Sequence, residues 1–284
     1  MKFYGYILPI FISINACSSD LNILDNLTQE SIAKCGINKN SSIENIEKLL
    51  NCGEFESAFK IIDLKEEKLT SNERMDLAYS LFNRGFYKKS AELLKVESDK
   101  GVAEAQYRLG YIYVHVDSLK NINKALFLFN EAVNNGYYDA YVNLGEIYLF
   151  EKEYLNFELA EKNYNFALFH NVNIAYCGLG EFFLQKHIFD KALKSFDNCF
   201  NYGYSDLAYN GYYNLYYSYP DYTKHSVEKS KSFLDLLLLH NKNSHTYNLA
   251  SDFYKGNHQF KDLKKSHYYL ELAKDYEDTV ANSD

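Results

Sequence analysis

A step of 35 residues runs through the middle of this chain and constrains its fold more than any other feature. Ala105, Ala140 and Ala175 each open a similar segment: Ala-Gln-Tyr-Arg-Leu-Gly-Tyr-Ile-Tyr, Ala-Tyr-Val-Asn-Leu-Gly-Glu-Ile-Tyr and Ala-Tyr-Cys-Gly-Leu-Gly-Glu-Phe-Phe. Leu109-Gly110, Leu144-Gly145 and Leu179-Gly180 keep the step, as do Tyr113, Tyr148 and Phe183. Several columns in register at one period mark a repeat architecture, in which no unit buries its apolar face alone and stacking supplies the core.

A second set of columns follows each first set. Ala125, Ala160 and Ala192 are followed by Phe129, Tyr164 and Phe196, then by Ala132, Ala167 and Cys199, then by Gly136, Asn171 and Gly203. Steps of four, three and four trace one helix face, and a closing Gly or Asn suits a left-handed cap. Each unit is therefore two helices with a turn between them. Weaker units keep the spacing: Ser90, Leu94 and Gly101 before these, and Ser230, Leu234, Leu237 and Asn241, then Ser266, Leu270 and Ala273, after them. Gly53 to Ala58 resembles Gly85 to Ser90. The pattern predicts an all-α solenoid of about seven helix pairs over residues 42 to 275, with small residues where helices cross closely. A single proline beyond residue 9, Pro220, leaves such helices almost uninterrupted.

These columns, Ala-x-x-x-Leu-Gly-x-x-Tyr and Lys-Ala-x-x-x-Phe with the following Ala and Gly, resemble Sel-one-like (Sel1-like) repeats, relatives of the tetratricopeptide repeat. The resemblance is strong over 103–203 and degraded over 73–102 and 204–276. It implies a right-handed α-α superhelix that binds protein, and no particular reaction. The paired glycines of the family's inner turn are missing, so those turns are expected to differ. Cysteine-rich members place paired cysteines in each repeat, which this chain does not.

The first 17 residues read differently. Lys2 is followed by an uncharged apolar run from Phe3 to Ile14, too short to span a bilayer, and then by Asn15-Ala16-Cys17. This describes a secretory signal. Ile14-Asn15-Ala16-Cys17 is similar to the lipobox of bacterial lipoproteins, although Asn15 stands where a small or apolar residue is usual. The resemblance implies a diacylated Cys17, membrane attachment through that lipid, and, from Ser18, outer-membrane sorting toward the periplasm. Ordinary cleavage after Ala16 and an uncleaved anchor are the alternatives. Residues 18–41 read as a tether or loosely structured segment, and 42–284 as the repeat solenoid.

The chain carries a net charge of −8, or −9 without its first 17 residues. That balance opposes nucleic acid, whose phosphates need a basic stripe, and electrostatic docking on anionic lipid. No phosphate loop, nucleophile elbow, zinc-protease or calcium signature occurs. Ser31-x-x-Lys34 and Ser226-x-x-Lys229 lack the companion motifs of penicillin-recognising enzymes, and the eight histidines are scattered. No catalytic residue, metal or cofactor is expected. Cys35 and Cys52 flank the first helix, where a disulfide is one possibility among several pairings; Cys199 sits in a small-residue core column as a free thiol would, and Cys177 faces either core or groove.

In each first helix the positions two and five after the column leucine point away from the packed face. By resemblance to tetratricopeptide proteins, that direction lines a concave groove. The nearer column is Tyr79, Tyr111, Glu146, Glu181, Asn214 and Ser251; the farther is Phe82, Val114, Leu149, Leu184, Tyr217 and Tyr254, which packing between first helices would equally explain. The candidate partner contacts are Tyr79, Tyr111, Glu146, Glu181, Asn214, Tyr217, Ser251 and Tyr254. Nine tyrosines between residues 202 and 222 lead us to expect exposed rings there, against a simple habit of Tyr for Phe. The reading is a non-enzymatic binding scaffold for a protein partner in the bacterial envelope. An immunity-type inhibitor of a toxic periplasmic enzyme is the alternative.

Overall fold

The computed structural model describes residues 34–37, 43–219, 226–256 and 258–281. The expected leader with Cys17, and most of the segment expected to be a tether, lie outside these residues. Within them, fourteen α-helices and two short 3-10 turns make up the regular structure.

The chain divides into two compact units after Arg74. In the first, α1 (Ile43–Asn51) and α2 (Phe55–Lys65) bury Ile46, Leu49, Leu50, Ala58, Ile61 and Ile62. Cys35 and Cys52 are disulfide-bonded, and Lys34 pairs with Glu54 at 2.9 Å nearby. The helix α3 (Ser71–Asn83) carries the boundary between the units.

The second unit continues with α4 (Tyr87–Asp99), α5 (Ala103–His115), α6 (Ile122–Asn134), α7 (Ala140–Phe150), α8 (Phe157–Phe169), α9 (Ala175–Gln185), α10 (Phe189–Asn201), α11 (Ser205–Ser218), α12 (Ser226–His240), α13 (Ser244–Lys255) and α14 (Leu263–Ala281). Each odd-numbered helix from α5 onward packs on the even one that follows, and each pair packs on the next. First helices also meet directly, α7 with α9 and α9 with α11. This is the all-α solenoid the columns predict.

The columns explain the close packing. Phe129, Tyr164 and Phe196 are buried to 1% exposure or less, and each ring leaves its second helix for the first-helix layer. Glycines make the passage. A Cβ built on Gly145 or Gly178 would lie 2.7 or 2.3 Å from the Tyr164 ring, and one on Gly180 or Gly211 would lie 2.2 Å from Phe196. Burying one such ring stabilises by about 1.5–3 kcal/mol.

The turns follow the same logic. Between pairs, Gly136 and Asn171 adopt φ 92° and 62°, and the next amide closes a 6→1 bond: Tyr137 to the Ala132 carbonyl at 2.8 Å, Val172 to that of Ala167 at 2.9 Å. Asn241 is not left-handed among the described residues; its side chain instead accepts from Asn243, which caps α13 through Thr246. The longer inner turns share one closure, in which the amides of Asn121, Asn156 and Asp262 donate to the carbonyls of Tyr113, Tyr148 and Tyr254 at 2.8–2.9 Å. Asn121 and Asn156 then cap α6 and α8 through Lys124 and Leu159.

Candidate functional site

The first-helix side of the second unit carries two recesses. One holds about 220 Å³ of open space between Tyr79 and Phe82 of α3, Leu94 of α4, and Tyr107, Arg108 and Tyr111 of α5. Tyr79 is 50% exposed, and the Arg108 guanidinium lies 4.8 Å above its ring while pairing with Glu104 at 2.7 Å. Tyr111 is partly buried, edge-on to Phe82 at 6.0 Å and against His115 at 4.1 Å. Burial first, and then the nearby Glu146 carboxylate, raises the Tyr111 phenol above its ordinary value. Burial, helped by Lys120 and opposed by Glu151, lowers the His115 imidazole below its ordinary value.

The second recess, about 110 Å³, lies between α7, α8, α9 and α11. Glu146 and Glu181 both line it, as α7 and α9 run side by side and place the same repeat position at one spot. Burial pushes the Glu146 carboxyl up to about 7, opposed by a 3.3 Å hydrogen bond from the Asn143 amide. Glu181 is raised for the same reason and opposed by Asn214. Tyr164 reaches the recess from α8 between Gly145 and Gly178; its side chain is fully buried and its hydroxyl has no hydrogen-bond partner. Asn210 of α11 adds a buried side-chain oxygen that is likewise unpaired.

The structure therefore brings together Tyr79 with Tyr111, and Glu146 with Glu181 and Asn214. It separates the remaining candidates. Tyr217 is partly buried, stacked on Tyr213 at 5.3 Å, with its hydroxyl toward the Asp252 carbonyl at 3.4 Å. Ser251 and Tyr254 are buried, which corrects their assignment as partner contacts: α14 covers them, through Ser266 at 3.2 Å from Ser251 and Tyr269 stacked 5.8 Å from Tyr254. Leu149 and Leu184 pack inside as well.

Of the tyrosine cluster, Tyr202 is 53% exposed as expected, but the rings of α11 are partly or fully buried. Tyr212, Tyr213 and Tyr216 are buried because α11 is covered on two sides: Phe196 and Phe233 meet Tyr212, and Phe253 meets Tyr213. Cys199 is not a free thiol; it is bonded to Cys177, with Cα atoms 5.0 Å apart across α9 and α10. Both cysteines face the core, 22 positions apart, and only the pairing of the two helices reveals them as neighbours. Tyr164, Asn210 and Gly178 were not singled out for this site. The signal for Tyr164 is the one hydroxyl in a column otherwise filled by Phe129 and Phe196.

Comparison with known proteins supplies the fold alone. No family model and no curated protein matches the sequence. The crystal structure of a Sel1 repeat protein from Oxalobacter formigenes superposes with a TM-score of 0.52 at 17% identity, covering 82% of this chain and 99% of that one. In fold, the chain is similar to that Sel1 repeat protein. The crystal structure of c5321, a protective antigen present in uropathogenic Escherichia coli strains and displaying an SLR fold, gives a TM-score of 0.46 at 15% identity, over 93% of this chain and 74% of that chain. Among the described residues no helix is long and apolar enough to cross a membrane, and no cluster of three or more metal-ligating side chains occurs.

Proposed function

We propose that this chain is a non-enzymatic scaffold that holds a protein partner along the first-helix face of its second unit. The observation that carries the reading is the half-exposed Tyr79 beside the Tyr111 recess, continuing along the same repeat position to the recessed Glu146 and Glu181. Tyrosine offers a large contact area with few rotors to freeze, and such faces concentrate binding energy in a few aromatic side chains. Among the described residues, none on this face combines a nucleophile with a base held to it by a hydrogen bond. The site suits recognition better than turnover.

The scaffold is proposed to work in the bacterial envelope, attached to the outer membrane through a lipid on Cys17 and facing the periplasm. Cys35–Cys52 and Cys177–Cys199 support an oxidising compartment, where disulfides persist. Quantitative capture from envelope extracts tests the reading. A partner held by the wild type should bind the Tyr79→Ala/Tyr111→Ala double variant roughly ten- to a hundred-fold more weakly, with helical content unchanged. Undiminished binding by that variant would remove the face from the contact. In the same extracts, Cys17→Ala should leave the membrane fraction.

A further inference from the structure

The recess between α7 and α11 is short of hydrogen-bond donors. Two carboxylates, the side-chain oxygen of Asn210 and the hydroxyl of Tyr164 converge on it, and among the residues lining it none is basic. Each carboxylate is met by one side-chain amide, Asn143 on Glu146 and Asn214 on Glu181. A carboxylate offers about four lone-pair sites, so most of this acceptor capacity is unused inside the protein. Tyr164 makes the point most sharply. A fully buried phenol with no hydrogen-bond partner costs stability, and Phe fills the equivalent place in both neighbouring repeats without that cost.

We propose that this recess receives the guanidinium of an arginine side chain presented by the docked partner, an inference that rests on the protein-binding reading above. Charge and donor count both favour arginine. A guanidinium carries five N–H donors in a planar fork, matching two carboxylates with an amide oxygen and a phenol oxygen at their margins. It is also more weakly hydrated than an ammonium, so entry into a partly buried space costs less. The rim matches the rest of the side chain: Phe150 and Leu207 are 55% and 46% exposed there and offer an apolar wall to its methylene stem. The titratable groups lining the space are Glu146, Glu181 and Tyr164, and the phenols of Tyr107 and Tyr111 face Glu146 from α5. Binding should therefore strengthen as pH rises through about 7 and Glu146 ionises.

The test uses the purified full-length protein and two small probes, N-acetyl-arginine N-methylamide and its uncharged isostere built on citrulline. Amide resonances of Gly145 and Gly178, which flank the Tyr164 ring, report binding. The arginine probe should shift both saturably, and the citrulline probe should bind roughly tenfold more weakly or worse. Glu146→Gln with Glu181→Gln should abolish the preference for arginine. Tyr164→Phe, which keeps the packed ring and removes only its oxygen, should weaken the arginine probe without unfolding the chain. Equal affinity for the two probes, or a preference that survives the double Gln variant, would overturn the proposal. The two readings fail separately. A partner that needs Tyr79 and Tyr111 while the arginine probe does not bind overturns the pocket alone. Saturable arginine binding beside a partner indifferent to those tyrosines supports the pocket and overturns the face.

Discussion

Glu146 shows what a buried carboxyl on the proposed binding face costs in stability. Burial holds its carboxyl near 7 against an ordinary value of 4.5, so the folded chain keeps a proton that the unfolded chain releases between those values. The sign follows from linkage: this contribution to stability is complete below about pH 4.5 and is lost as pH rises through about 7. Glu146→Gln should therefore stabilise the protein at pH values above 7, by on the order of 1 kcal/mol once partial exposure is discounted. The gain should fade near pH 4.5. Thermal denaturation at the two pH values checks this, and an equal shift at both would contradict a buried carboxylate. Sequence spacing was enough to place Glu146 and Glu181 at one repeat position. It did not reveal Tyr164, because a tyrosine in a column of buried phenylalanines reads as core, and only the missing hydrogen bond at its oxygen distinguishes it.

At the scale of helices, spacing fixes where each one crosses its neighbour, and glycines fix how closely. A Cβ on Gly178 of α9 would meet the Tyr164 ring at 2.3 Å, and the ring is fully buried and also held close to Gly145 on α7. Gly178→Ala is expected to cost about 1–3 kcal/mol. Gly256→Ala should cost less, because its 2.9 Å contacts are the far ends of Tyr217 and His258. Urea midpoints that rank the two variants the other way would contradict this packing. Helix number, pairing and the Gly136 and Asn171 caps were legible because each depends on residues close in sequence. The inner-turn closures onto Tyr113, Tyr148 and Tyr254 were not, since they use backbone groups that any residue supplies. The tyrosines of α11 misled for a related reason. Helical periodicity marks which faces of α11 differ, whereas their burial comes from Phe233 and Phe253, on helices that sequence does not orient.

Across the second unit, the stack converts a 35-residue pattern into a row of equivalent positions, which holds Tyr79, Tyr111, Glu146 and Glu181. Fold class could be read from the repeat because every pair must bury the same columns against the next. The end of the row could not: Ser251 and Tyr254 occupy the expected register, but α14 packs over them. The claim that the first-helix face is the working surface is tested most directly by photo-crosslinking in intact cells. A crosslinkable residue is placed at Tyr79 or Tyr111 on that face, or at the exposed Lys162 or Lys194 on second helices. A discrete protein adduct should form from positions 79 and 111 and be absent from 162 and 194. Adducts from 162 or 194 alone would place the partner on the second-helix surface and contradict the assignment.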